Sequence, residues 1–406
     1  MAIWGHDLSK IELKQINELV NDKERENLYL DYKENLPDFK IEQSKRDFLH
    51  DITAFANANG GDIIYGIKDK KDTKGLATAI PEKIVGLDSS INSDQMQRRI
   101  EDIAITNIDP PLRGLLFRWI DYKTEKILIL RIPKSWAKPH AVQYKHDIRI
   151  YIRTASGKKP LEYREMKHMI IESSTMIDRI KNFRNERLNL LKEGKLHLHL
   201  APSLAVIHMV PFASFEQIDT YSVQFLEEKI NNLSCFPLGY RGIGNTRYNF
   251  DGFLALGELG RYNKKKITSY LLAFRNAIIE SACNAITNKY DSAYAFPVIE
   301  LEKFLICAYK QYLDFYKSIN LPLPLIVFIS ILGTQNKYIV FDDIRHGGES
   351  GPIDRPELLM QEIIVESYDT KPKDVLKPAF DTIWNAADMS RSFSYNEDGS
   401  YKFDYS

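Results

Sequence analysis

Three acidic residues and a lysine near the start of the chain have the types and spacing needed for hydrolysis: Glu26, Asp31, Lys33 and Asp69. Residues 24–34 are predicted to form a strand, and because side chains alternate along a strand, Asp31 and Lys33 share one face. Residues 62–67 are apolar and rich in β-formers, which predicts a second strand. If the two strands pair, Asp69 at the end of the second lies near the other three side chains.

Three carboxylates in one desolvated corner need a cation, because like charges at close range repel strongly. Mg²⁺ or Mn²⁺ held by Glu26, Asp31 and Asp69 would meet that need, since magnesium takes few carboxylates and leaves positions for water and substrate phosphate. Lys33 would orient the attacking water or neutralise charge on the phosphorane. The pattern therefore predicts a metal-dependent phosphodiesterase. A solvated strand face carrying Asp31 and Lys33 is the alternative that the short pattern leaves open.

A helix is predicted between the two strands, from residue 44 onward. Its apolar side chains recur at helical spacing and form one core-facing stripe. The helix is expected to end at Gly60-Gly61, where a residue in the left-handed conformation is needed. The stripe consists of Phe48, Ile52 and Phe55 or Ala56.

Together these blocks resemble the Schlafen (AlbA-like) domain, over residues 1–160. The family pattern is a Glu, four residues, Glu-Phe-Lys, then an Ala-Phe-Ala-Asn helix end before Gly-Gly, and a strand ending in Gly-Val-Asp-Asp. The corresponding blocks here are Glu26, Asp31-Tyr32-Lys33, Ala54-Phe55-Ala56-Asn57 with Gly60-Gly61, and Gly66-Ile67-Lys68-Asp69.

The resemblance implies a mixed α/β domain with an acidic nuclease centre. In Schlafen ribonucleases the two glutamates and the last aspartate form that centre, which assigns catalysis and metal binding to Glu26, Asp31 and Asp69. Two positions depart from the pattern. Asp31 has a shorter arm than the family's second Glu, and Lys68 replaces the first Asp of the final pair.

Nucleic-acid binding must come from a local patch, because 55 basic residues balance 55 acidic ones in the whole chain. Residues 131–160 supply such a patch, with eight Lys and Arg against the single acid Asp147 and with interleaved aromatic residues. Basic and aromatic side chains together suit a phosphate backbone with splayed bases. A solvated basic face is the alternative. The predicted contacts are Lys134, Lys138, His140, Lys145, Arg149, Arg153 and Lys158.

The fold class is predicted to be α+β or α/β, with two domains. A Schlafen-like domain (1–160) is followed by a long helical linker (161–193) and a second mixed α/β domain (194–406). Alternating strand and helix patterns support the second domain. Other predicted helices cover residues 8–21, 91–106, 266–290, 296–318 and 374–387, and other strands cover 114–120, 126–132, 195–211, 325–332, 337–341 and 361–367.

The second domain carries only weak motifs. His197, His199 and His208 could bind a metal, but polar positions on a strand explain them better. Residues 239–252 hold a G-x-G without a following helix, which favours turns between short strands, and residues 346–351 form a Gly-rich loop. Three scattered cysteines (Cys235, Cys283, Cys307) predict neither a disulfide framework nor a zinc site. P-loop, G-x-S-x-G and H-E-x-x-H motifs are absent from the sequence.

The leading hypothesis is therefore an endoribonuclease acting on tRNA or other structured RNA, in phage defence or a stress response. The alternative is a non-catalytic nucleic-acid- or nucleotide-binding transcriptional regulator, and a third is an interaction module built on the second domain. A homodimer, formed through the first domain or the 161–193 helix, could supply a second copy of the Schlafen-like domain for gripping RNA. With no signal peptide and no apolar stretch long enough to span a bilayer, a cytoplasmic protein without a membrane partner is expected.

Overall fold

The computed structural model describes residues 8–144, 147–155, 157–195, 203–215, 220–259, 266–284, 288–290, 293–341 and 350–403. The chain divides into two compact units, residues 1–177 and 178–406. The division falls within one long helix, Tyr163–Lys192. Both units combine helices with sheets, so the fold is of the mixed α+β class that the sequence predicts.

The first unit contains four helices and eleven strands among its described residues. In chain order they are α1 (Leu13–Asn21), β1 (Leu30–Lys33), α2 (Glu42–Asn57), β2 (Gly61–Tyr65), β3 (Ile67–Lys71), β4 (Ala77–Ile84), α3 (Ser93–Asn107), β5 (Ile108–Asp109), β6 (Leu116–Tyr122), β7 (Glu125–Ile132), β8 (Ala141–Tyr144), β9 (Asp147–Arg149), β10 (Tyr151–Thr154), β11 (Gly157–Pro160) and the start of α4 (Tyr163–Lys192).

A four-stranded sheet of order β1-β2-β7-β6 forms the centre of this unit. The strands β1 and β2 run parallel, with Asp31 opposite Ile63 and Lys33 opposite Tyr65. Parallel neighbours need a crossover connection, and α2 provides it. The predicted pairing of these two strands is confirmed. Smaller sheets pair β3 with β4, β10 with β11, and β5 with β8 and β9.

Both faces of β1 are buried, although the sequence predicts one polar, open face. Leu30 and Tyr32 pack into a cluster with α1 on one side. On the other side, α2 covers the sheet, and its Phe55 packs in the same cluster as Ile63 of β2. Asp31 points to this covered side and is only 2% exposed. Strands of parallel pairs are commonly enclosed in this way, because the crossover helix lies on a face of the sheet.

The glycine pair after α2 serves two purposes. Gly60 has a φ of 75°, and its N–H donates to the carbonyl of Phe55 at 2.9 Å, which closes the helix as predicted. At Gly61, an added Cβ would overlap the ring of Phe55 and lie 2.9 Å from the carbonyl oxygen of Tyr29. Gly61 is therefore required by close packing of the helix end against the entry to β2.

The second unit is built on an eight-stranded sheet with helices α5 to α7. Its elements after α4 are β12 (Leu204–Pro211), α5 (Val223–Asn232), β13 (Asn245–Tyr248), β14 (Gly252–Leu259), β15 (Lys266–Phe274), β16 (Ile279–Asn284), β17 (Asn288–Tyr290), β18 (Ala293–Pro297), α6 (Val298–Ser318), β19 (Leu325–Leu332), β20 (Tyr338–Val340), β21 (Glu357–Leu359), β22 (Ile363–Val365) and α7 (Pro372–Asn385). The sheet has the order β13-β14-β15-β16-β12-β19-β21, with β22 also pairing β19.

The predicted helix at residues 266–290 is wrong, because this segment forms the β15–β16 hairpin and the strand β17. Tyr270, Leu271 and Phe274 fit helical spacing, but central strands buried on both faces also give continuous apolar runs. The turn between the strands contains Ala277, whose φ of 65° breaks any helix. His197, His199 and most of the predicted loop 346–351 lie outside the described residues.

No helix in the described part of the chain is long and apolar enough to cross a membrane.

Candidate functional site

The predicted pair on β1 forms the centre of a charged cluster. Asp31 and Lys33 are two residues apart and project to the same side of the strand. The Lys33 Nζ atom lies 2.7 Å from Asp31 Oδ2, and Nη2 of Arg153 on β10 lies 3.1 Å from Asp31 Oδ1. Burial by itself would raise the pKa of Asp31, but the charges of Lys33 and Arg153 outweigh it and hold this pKa below its ordinary value. Asp31 is therefore a buried carboxylate with a cation on each oxygen.

Glu26 joins the cluster from the loop before β1. Its Oε1 accepts the backbone N–H of Tyr32 at 3.1 Å, and its Oε2 lies 4.0 Å from Arg153. Burial, and then the negative charge of Asp31, raise the pKa of Glu26 to about 7. Because the side chain of Glu26 is still 21% exposed, it is the member of the pair that can exchange a proton with solvent or a ligand.

Lys33 connects this acid pair to helix α2. Its Nζ also lies 3.7 Å from Asp51 Oδ2, and Lys158 Nζ binds the other oxygen of Asp51 at 2.6 Å. Burial alone would lower the pKa of Lys33, but Asp51 and Asp31 keep it above its usual range. Lys33 is thus a permanent cation, 37% exposed, at the edge of the cluster.

Asp69 is held by backbone groups of the β3–β4 hairpin. Its carboxylate accepts the N–H groups of Ala79 at 3.2 Å and Ile80 at 2.9 Å. Ala79 is in the left-handed conformation (φ 57°), and its carbonyl accepts the N–H of Glu26 at 2.9 Å. Ala79 therefore links Asp69 to the backbone at Glu26, while the Asp69 side chain supports a turn.

The three predicted metal ligands do not form a divalent-metal site as the structure arranges them. In the ranges that the structure describes, no group of three or more His, Cys, Asp or Glu side chains could hold a metal ion. The oxygens of Asp31 face Lys33 and Arg153, and those of Asp69 face backbone amides. Magnesium requires near-octahedral oxygen ligands. The group of this arrangement suited to acid or base chemistry is therefore Glu26, since burial and the charge of Asp31 raise its pKa to about 7.

Three of the predicted nucleic-acid contacts are buried, so the prediction of an open basic patch needs correction. Lys138 is 7% exposed and its Nζ pairs with Glu172 at 3.1 Å. His140 is 1% exposed, and its ring contacts the Pro110 carbonyl at 2.6 Å and Ser135 Oγ at 2.5 Å. Arg153 is the partner of Asp31. The excess of basic residues in this segment is balanced by acids from elsewhere in the fold.

The other predicted contacts differ in their surroundings. Lys134 lies over the ring of Trp136 at 4.6 Å, and Lys158 binds Asp51. Arg149 is exposed. Lys145 lies outside the described residues. Lys158 and Arg149 therefore remain at the surface of the segment 131–160. Burial prevents Lys138, His140 and Arg153 from contacting a phosphate directly.

Sequence reasoning missed two residues of this region, Asp51 and Asn57. Asp51 follows Phe48 by three residues and precedes Phe55 by four, so an acid stands on the core-facing side of α2. That position could have indicated a buried ion pair. Asn57 donates through Nδ2 to the carbonyls of His140 and Tyr151, both at 2.9 Å, and accepts the His140 N–H at 2.7 Å. No local signal marks these long-range contacts.

Comparison with known family models gives a match over the first part of the chain. Residues 26–162 match the family described as Schlafen, AlbA_2. None of the curated proteins compared with the chain matches it.

Two solved structures resemble part of the chain. The N-terminal domain of a RecG-related protein from Nitrosomonas europaea has 18% identity and a TM-score of 0.24, and the match covers 31% of this chain and 74% of that one. The DIP2311 protein from Corynebacterium diphtheriae has 15% identity and a TM-score of 0.24, covering 37% of this chain and 26% of that one. Likenesses this weak say nothing about chemistry.

Proposed function

Because residues 26–162 form a Schlafen, AlbA_2 domain, we propose that this domain binds nucleic acid, with structured or unpaired RNA such as tRNA as the preferred ligand. The observation that supports the proposal most is the half-open charge cluster of Glu26, Asp31, Lys33 and Arg153 within that domain. Lys33, at the edge of the cluster, is a cation that can bind a phosphate. Lys158 and Arg149, in the basic segment 131–160, supply further positive charge.

Hydrolysis of the phosphodiester bond is the second candidate function, favoured by the position of Glu26, partly exposed and beside Asp31 and Arg153. A carboxyl group with a pKa of about 7 can both accept and donate a proton at neutral pH. Glu26 would take a proton from the attacking water as the new P–O bond forms, the leaving sugar oxygen would take its proton from solvent, and Lys33 would stabilise the negative charge that develops on the phosphate. Binding without cleavage corresponds to the regulator hypothesis.

Metal-dependent cleavage with Mg²⁺ or Mn²⁺ is a separate proposal, because it requires a rearranged site. Asp69 would have to leave the amides of Ala79 and Ile80, and Lys33 would have to leave Asp31. An Asp69→Asn variant tests this requirement, since its single amide oxygen keeps one of the two backbone hydrogen bonds, which reach different oxygens of Asp69, but is a poor replacement for an anionic ligand.

The experiment measures binding and cleavage in the same samples. Labelled tRNA, single-stranded RNA and single-stranded DNA are incubated with the full chain in EDTA, Mg²⁺ or Mn²⁺. Wild type is compared with Glu26→Gln, with Asp69→Asn and with Asp102→Asn, a matched control on the exposed surface of α3. Cleavage in EDTA that Glu26→Gln abolishes supports proton transfer by Glu26; cleavage only with metal, lost in Asp69→Asn, supports a rearranged metal centre.

Two outcomes contradict these proposals. Binding without product under every condition removes cleavage and leaves the regulator. Absence of binding to all three nucleic acids at low salt removes the nucleic-acid function itself. A homodimer is a further proposal, and the mass of the full chain in solution, with and without RNA, tests it.

A further inference from the structure

A cavity of about 420 Å³ opens beside the charge cluster. It lies where β1 and β2 end, and Lys33 and Tyr65, which stand opposite each other in the register of these strands, both line it. In open sheets with parallel strands, ligands bind in the crevice beyond the carboxyl ends of the strands. The volume falls within the range of about 300–1,000 Å³ typical of small-ligand sites, and it is large enough for a single base.

The cavity has an apolar wall that suits a flat ring. Leu36, Pro37 and Ile41 belong to the loop that leads into α2, and Phe48 lies one and a half turns into the helix. Ile41 leaves 56% of its surface exposed, although it is a large apolar residue. A stacked base would cover that surface and remove it from water.

The charges that line the cavity favour a neutral hydrogen-bond donor over a phosphate. Asp47 and Asp51 face a single lining cation, Lys33, which already binds Asp31 at 2.7 Å. Asp51 is also occupied, by Lys158 at 2.6 Å. Asp47 is exposed, and its Oδ1 accepts a hydrogen bond from Gln43 at 2.9 Å. Carboxylates recognise nucleobases by accepting hydrogen bonds from amino groups such as that of cytosine.

We propose that this cavity holds one unstacked, amino-bearing nucleobase (adenine, cytosine or guanine) of a single-stranded nucleic acid, with Asp47 accepting its amino group. The inference rests on the proposed nucleic-acid binding and specifies which part of the ligand is read. The phosphates of the strand lie at the edge of the cavity, beside Lys33, whose side chain is 37% exposed. Single-stranded nucleic acids present splayed bases in this way.

The test compares twelve-residue oligo(C), oligo(A) and oligo(U) labelled with fluorescein, by anisotropy on the full chain at low salt. Wild type should bind oligo(C) and oligo(A) about tenfold more tightly than oligo(U), which lacks an amino group; this corresponds to a carboxylate–base contact of about 1–3 kcal/mol. Asp47→Asn should remove this difference by weakening the first two. Asp102→Asn, with the same change of charge on α3, should leave it intact.

The direction of the change separates recognition from general electrostatics. Removing a negative charge should tighten binding to any polyanion, so weaker binding by Asp47→Asn contradicts a purely electrostatic role. A difference between the oligonucleotides that competes away with CMP but not UMP assigns the cavity to a single nucleotide; a difference that persists against both assigns it to a base within a strand.

Equal affinity of wild type for all three oligonucleotides, or an unchanged difference in Asp47→Asn, would overturn the base site while nucleic-acid binding stands. Failure of wild type to bind any oligonucleotide would overturn the proposed function together with it.

Discussion

At the scale of single residues, the cluster around Asp31 shows that the order of residues along the chain does not reveal which charged side chains meet in the fold. The sequence predicts that Glu26, Asp31 and Lys33 lie together, and the structure places them together. The sequence does not predict that Arg153, 122 positions after Asp31, supplies the second cation that binds Asp31. The alternation of residues in a strand predicts the face on which a side chain lies. It does not predict the ion-pair partner, which here comes from a distant strand whose position depends on the whole domain.

Replacing Glu26 with Gln should stabilise the protein at pH 8. The carboxyl of Glu26 has a pKa of about 7 in the folded state, against an ordinary value of 4.5. The folded state therefore binds more protons than the unfolded state between these values, so stability falls as pH rises through 7. Gln mimics the protonated form, and the gain at pH 8 should be on the order of 2 kcal/mol after allowance for partial exposure.

The measurement is the urea midpoint of wild type and variant at pH 5 and pH 8. The advantage of the variant should shrink toward zero as pH falls below 5, where Glu26 is protonated in both states. Glu34→Gln, an exposed acid in the next loop, serves as the control and should show no such pH dependence. An advantage of equal size at both pH values would rule out proton uptake as its cause.

At the scale of elements, the helix α2 and its exit are well predicted, as is the strand β19 of the second unit, but the strands β15 to β17 are not. Phe48, Ile52 and Phe55 face the core as their spacing requires. The β15–β16 hairpin was open to misreading because its buried strands have no alternation of polar and apolar residues. Helix and strand can then be distinguished only by segment length and by turn residues. The turn at Arg275-Asn276 contains neither Gly nor Pro, so the sequence does not mark it clearly.

Replacing Gly61 with Ala should destabilise the first unit by about 2 kcal/mol, since the new methyl group overlaps the Phe55 ring and approaches the Tyr29 carbonyl. The measurement is the urea midpoint at one pH. Gly242→Ala is the control, because no atom lies within 4 Å of its Cβ position. Equal midpoints for the two variants would show that α2 can shift away from β2 at no cost.

At the scale of the whole molecule, α4 decides where the second unit begins. Arg187 of α4 donates two hydrogen bonds of 2.8 Å to Glu280, which is fully buried and also contacts His208 and Tyr270. Phe183 packs edge-on against Phe274 at 5.5 Å. The predicted boundary at residue 194 would cut these contacts, because periodicity identifies a long helix but not the body to which each half belongs.

A fragment of residues 178–406 should therefore fold more stably than one of residues 194–406. Loss of Arg187 leaves the Glu280 carboxylate buried without its cation, at a cost of about 3–5 kcal/mol. Circular dichroism melting of both fragments gives the comparison. Adding Glu280→Gln to the shorter fragment should recover part of the loss, because it removes the unpaired charge. Identical melting of the two fragments would place α4 outside the unit.

Asn57 carries a consequence for how this domain is recognised at all. Its amide binds the end of α2 to the backbone at His140 and Tyr151, so Asn57 holds distant parts of the domain together and its side chain has no hydrogen bond to an acid of the cluster. Every acid of the cluster could be replaced while these hydrogen bonds of Asn57 remain. A match to the family that rests on this stretch therefore indicates the fold of residues 26–162, and activity has to be tested at each carboxylate separately.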